Sequence, residues 1–116
     1  MGLDWFTSGN EEYKGPKYHR ANGLKWVLRE CGYNESADKC YGEEEPGEQL
    51  CILSDTQMQD ILKDIRTLIE KQEFPESILE NIEIDDLNKH LKEAEQMLDM
   101  VIAFKGDVGV SIYADY

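Results

Sequence analysis

Hydrophobic positions along this chain fall into two long helical stripes and several shorter runs. Met58, Ile61, Leu62, Ile65, Leu68 and Ile69 recur at helical spacing and share about a third of a helix surface. Ser54 and Gln57 ahead of them form an S-x-x-Q capping box, so this helix starts at Ser54 and runs to about Lys71 or Gln72. Leu87, Leu91, Ala94, Met97, Leu98, Val101 and Ile102 make the second stripe, with Asp85 or Asp86 as its cap and Gly106 as its end. Leu24, Val27, Leu28 and Cys31 define a shorter helix over about 22–31, and Gly32 stands where a left-handed C-cap belongs. Pro75 suits the first turn of a further short helix that turns Ile78, Leu79 and Ile82 inward.

The remaining apolar runs read as strands. Leu3–Phe6 is short and aromatic, and Ser8-Gly9-Asn10 follows it as a turn signal. Val108–Tyr113 alternates β-branched and small residues, with Val108, Val110 and Ile112 on one face and Tyr113 on the other, placed to lie over Trp5. Leu50–Leu53 is a short buried strand or a staple feeding the next helix. Residues 7–22 and 32–49 read as irregular loops, the second with the solvated run Glu43–Glu48. The expected architecture is a single α+β domain over 1–116. In it a small sheet pairs the N- and C-terminal strands and packs against three or four helices.

Charge changes this picture more than composition does. The chain has 116 residues and a formal net charge of −13. Residues 1–39 hold six basic and six acidic side chains, whereas residues 40–116 hold six basic and nineteen acidic ones. The whole net charge therefore sits on the C-terminal two thirds, a surface that repels nucleic acid and anionic membranes. No apolar run approaches the roughly 18 residues that span a bilayer, and the first residues lack a secretory pattern. A cytoplasmic protein is expected, with Cys31, Cys40 and Cys51 as thiols.

Candidate chemistry is sparse. The segment Tyr13–Arg20 interleaves Lys14, Lys17, His19 and Arg20 with Tyr13 and Tyr18. Cations beside aromatic rings suit a phosphate or carboxylate ligand with a stacked ring, so Lys14, Lys17, Tyr18, His19 and Arg20 form a candidate anion site. The same residues also suit an intramolecular clasp onto the acidic helices. Neither G-x-x-x-x-G-K-[ST] nor G-x-G-x-x-G occurs, which removes both standard nucleotide cradles. His19 or His90 could serve Cys31 or Cys40 as a base, but no nucleophile motif surrounds either cysteine. No cofactor or metal is expected, since the cysteines have no close pairs and the histidines no H-x-x-x-H spacing.

Glu73, Glu76, Glu80 and Glu83 recur at steps of three and four and would line one face if 75–83 is helical. Glu95 and Asp99 add a repulsive i, i+4 pair. Both suit either the solvated side of a helix or a surface shaped for a basic protein partner, as in proteins that imitate DNA. Trp26 falls off the face of its own helix, as a second contact face or an aromatic anchor for a partner.

Met1–Phe6, the basic loop, Cys40-Tyr41-Gly42 and Leu53-Ser54 with Gln57-Met58 resemble small uncharacterised proteins of tailed phages and large DNA viruses. That resemblance covers the first half of the chain and implies an accessory, phage-encoded origin, with no catalytic residues to carry over. The expectation for function is a non-enzymatic interaction protein with an acidic partner-binding surface. The alternative is a small ligand-binding domain or enzyme built on the loop around Lys14–Arg20.

Overall fold

A computed structural model describes residues 4–8, 17–18, 21–44, 51–108 and 111–115. Within them lie β1 (Asp4–Ser8), β2 (Lys17–Tyr18), α1 (Ala21–Glu30), α2 (Asn34–Lys39), β3 (Glu43–Glu44), β4 (Cys51–Leu53), α3 (Asp55–Lys71), α4 (Glu76–Leu79), α5 (Ile84–Val108) and β5 (Ser111–Asp115).

The expected α+β class is overturned: the protein is mostly helical. Its strands are only two to five residues long. Helices pack on helices rather than being laid over a sheet. Among the residues whose burial is described, Trp5, Tyr18 and Leu53 are the buried apolar residues that come from strands. Two amphipathic helices with matching stripes bury more apolar surface against each other than such short strands can offer. α3 and α5 accordingly run along one another, with Met58, Ile61, Ile65 and Leu68 buried on one and Leu91, Ala94, Leu98 and Val101 on the other.

The strands lie antiparallel in the order β2-β1-β5-β4-β3. Register places Phe6 opposite Tyr113 and Trp5 opposite Ala114, so the expected Trp5–Tyr113 pair does not form. The indole of Trp5 meets Tyr18 instead, at 5.6 Å between ring centroids. The side chains of Val108, Val110 and Ile112 lie outside what the structure describes, as do Gly9–Pro16 and Glu45–Leu50.

Local chemistry sets the helix ends. Gly32 takes a φ of 92°, and the N–H groups of Gly32 and Tyr33 return to the carbonyls of Arg29 and Leu28, which closes α1 in a Schellman motif. Gly42 is required for a second reason: a Cβ there would come within 2.8 Å of the Ile52 carbonyl oxygen. Ser54 and Gln57 exchange both hydrogen bonds of the capping box at the start of α3. α3 ends at a left-handed Gln72, whose amide donates to the Ile69 carbonyl and pairs reciprocally with Asn88 on α5.

Several boundaries differ from expectation: the expected loop 7–22 holds the end of β1 and β2, and the terminal strand is Ser111–Asp115 rather than Val108–Tyr113. The segment 32–49 contains α2, which docks on α3 through Ser36 to Asp64 and Lys39 to Asp60 rather than through an apolar stripe. α5 begins at Ile84, with Leu87 N–H donating to the Glu83 carbonyl, so Asp85 and Asp86 occupy its first turn instead of its cap. It continues through Gly106 to Val108. Leu79, expected inward, is 43% exposed because the single turn of α4 commits only Ile78 to the core.

Candidate functional site

Among the described residues, one apolar concavity is built from three parts of the chain. Tyr18 on β2 is buried, and Leu24 and Val27 from α1 meet Leu87 and Leu91 from α5. Between them lies a cavity of about 290 Å³. Its mouth carries Gly23, the half-exposed ring of Trp26, Asn81, Ile82, Asp86 and His90. An apolar hollow with a few polar groups at its rim is the usual form of a binding site, and this one is at the small end of the range for a ligand pocket. His90 is partly buried, with Nδ1 3.9 Å from the Glu93 carboxylate one turn further on.

The stretch from residue 70 to 86, which reaches this groove at Asp86, is acidic. Glu70, Glu73, Glu76, Glu80, Glu83, Asp85 and Asp86 are all exposed, and Lys71 is the only cation between residues 70 and 86. Among the described residues no ion pair reaches any of these seven carboxylates, whereas Arg29 pairs with Asp38, Lys39 with Asp60 and Arg66 with Glu95 and Asp99. The Glu95–Asp99 pair is countered from α3 by Arg66, which reaches the two carboxylates at 3.4 and 3.2 Å. That pair therefore contributes no uncompensated repulsion. Glu73, Glu76, Glu80 and Glu83 do not form a single helix face: α4 covers only Glu76–Leu79, with Glu80 at its C-cap, Glu73 in the preceding link and Glu83 just ahead of α5.

The basic loop is only partly described. Lys14, His19 and Arg20 lie outside the described residues, and Lys17 sits opposite Phe6 in β2. Of the described residues of this loop, Tyr18 joins the groove, as a wall. Sequence reasoning singled out Trp26 and placed His90 at the edge of the core stripe, and both line the groove. It gave no weight to Gly23, Asn81 and Asp86 as groove residues. No local pattern marks them, because the groove exists only once α1 and α5 are side by side.

The two described thiols, Cys31 and Cys40, offer little chemistry. Cys40 is buried, donates to the Ser36 carbonyl at 3.4 Å, and burial pushes it up to about 12. Burial, helped by the neighbouring Glu30 charge, also raises Cys31. A thiol protonated at neutral pH is a poor nucleophile. Iodoacetamide at pH 8 should therefore leave Cys40 unmodified in the folded protein and label it in urea, as read by peptide mass spectrometry. The same shift fixes a sign for stability. The contribution of the protonated thiol is intact below the unfolded value of 9.0 and is lost as pH rises toward about 12. Among the described residues no group of three or more His, Cys, Asp or Glu side chains could hold a metal ion, and no helix is long and apolar enough to cross a membrane.

No family model, curated protein or solved structure matches the chain.

Proposed function

We propose that this is a non-enzymatic cytoplasmic interaction protein that engages a basic protein partner through the acidic surface between residues 70 and 86. The observation that carries the reading is the set of seven exposed carboxylates between residues 70 and 86, with one lysine among them and with Asp86 lining the apolar groove. Carboxylates with no ion pair among the described residues, concentrated in one stretch of chain that reaches an apolar groove, favour encounter with a cationic partner and its retention. Direct nucleic-acid or anionic-membrane binding runs against the same field. The protonated thiols of Cys31 and Cys40 suit a reducing compartment. The resemblance of the first half to phage and viral proteins supports an accessory, phage-encoded origin.

The test is capture from host-cell lysate at about 0.02 M salt, followed by rebinding of the purified captured protein. Two charge-matched variants are compared with the parent: Glu73→Gln, Glu76→Gln, Glu80→Gln and Glu83→Gln together, and Glu35→Gln, Asp55→Asn, Glu93→Gln and Asp99→Asn together. Retention of one basic protein, weakened about ten-fold or more by the first set and much less by the second, is the expected result. Equal weakening by both sets would reduce the effect to net charge and remove the proposed surface.

A further inference from the structure

We infer that the groove between α1 and α5 seats one bulky apolar side chain, flanked by lysine or arginine, from the basic partner; this rests on the acidic-surface reading above and adds the residue that anchors it. The groove is sized for a side chain rather than for a large ligand, at about 290 Å³. Its walls are apolar or aromatic, with Leu24, Leu87 and Leu91 inside and Trp26 at the edge. Trp26 spends a large aromatic surface at 36% exposure instead of in the core, as anchors at interfaces do. Asp86 stands at the mouth with Glu83 one turn before it, so a cation beside the apolar side chain meets carboxylate on entry.

Gly23 supplies an independent indication. It lies within α1, where glycine weakens a helix relative to alanine. Its φ is not positive, and an added Cβ would meet nothing within 4 Å. Among the described residues neither conformation nor crowding calls for glycine at this place. What the missing side chain leaves is bare backbone at the groove mouth, the feature that lets another chain approach closely.

The probes are the amidated peptides Lys-Lys-Lys-Phe-Lys-Lys-Lys and Lys-Lys-Lys-Ser-Lys-Lys-Lys, which differ only in the central residue. Trp26 is the exposed indole and Trp5 is buried, so tryptophan emission reports on the groove. The expected result is a saturable blue shift with the Phe peptide and about ten-fold or greater preference for it over the Ser peptide. Gly23→Leu keeps a good helix former in α1 while filling the hollow, and should abolish that preference while leaving weak, salt-sensitive binding of both peptides. Trp26→Ala, at an exposed position and followed by calorimetry, should reduce the preference as well and serves if Gly23→Leu melts lower than the parent. Equal affinity of the parent for the two peptides, or a preference that survives a folded Gly23→Leu or Trp26→Ala variant, overturns the inference. The two readings fail separately. Loss of the Phe preference with the Glu73–Glu83 dependence intact removes the anchor only. A Phe preference that persists when those four glutamates are neutralised without effect removes the acidic surface only.

Discussion

Trp5→Ala should cost about 3–5 kcal/mol in urea denaturation, the range for deleting a large buried aromatic side chain. Trp5 is completely buried, and its ring packs at a tilt of 51° against Tyr18. Its indole N–H donates to the Cys40 carbonyl at 2.9 Å, tying β1 to the turn after α2. Alanine removes the ring, leaves a cavity and orphans that carbonyl. Trp5→Phe separates these effects, because it keeps an aromatic body but not the donor, so it should cost less than Trp5→Ala while exceeding about 1 kcal/mol. Domains of this kind have only about 5–15 kcal/mol in total, so Trp5→Ala removes a large share of the margin. A loss below about 1 kcal/mol for Trp5→Ala would show that β1 is a loose arm and that the strands hold nothing in place.

What could be read in the sequence was what is local. The α3 stripe and its capping box are written within a dozen neighbouring residues, and the structure buries Met58, Ile61, Leu62, Ile65 and Leu68 as the spacing requires. Gly32 is equally legible, since a positive φ at a helix end has few chemical solutions. α2 escaped because it is six residues long and attaches through Ser36 and Lys39 to carboxylates on α3, a polar docking that leaves no hydrophobic period. Glycine misled at position 106, where nothing in the neighbouring sequence tells a helix-ending glycine from one the helix passes through. The fold class went wrong for a related reason. Short apolar runs reveal that strands form, but not that the two long stripes will satisfy each other. The groove was least legible, because Tyr18, Trp26 and His90 belong to three elements that only tertiary packing brings together.

The mutual satisfaction of those stripes sets the second large effect. Ile65 is completely buried in the middle of α3, on the face that meets α5, and Ile69 lies one turn later at the half-buried edge of the same stripe. Ile65→Ala should cost about 2–5 kcal/mol, because the packed helices on both sides relax only partly into the space. Ile65→Val removes a single methylene and should cost about 0.5–1.5 kcal/mol. Ile69→Ala starts from a residue already partly in water and should fall well below Ile65→Ala. The ordering carries the information: Ile65→Ala largest, with Ile65→Val and Ile69→Ala both well below it, at unchanged denaturant dependence. Equal costs for Ile65→Ala and Ile69→Ala would mean that α3 meets α5 through a rotated face, and the helical core described above would have to be redrawn around a different stripe.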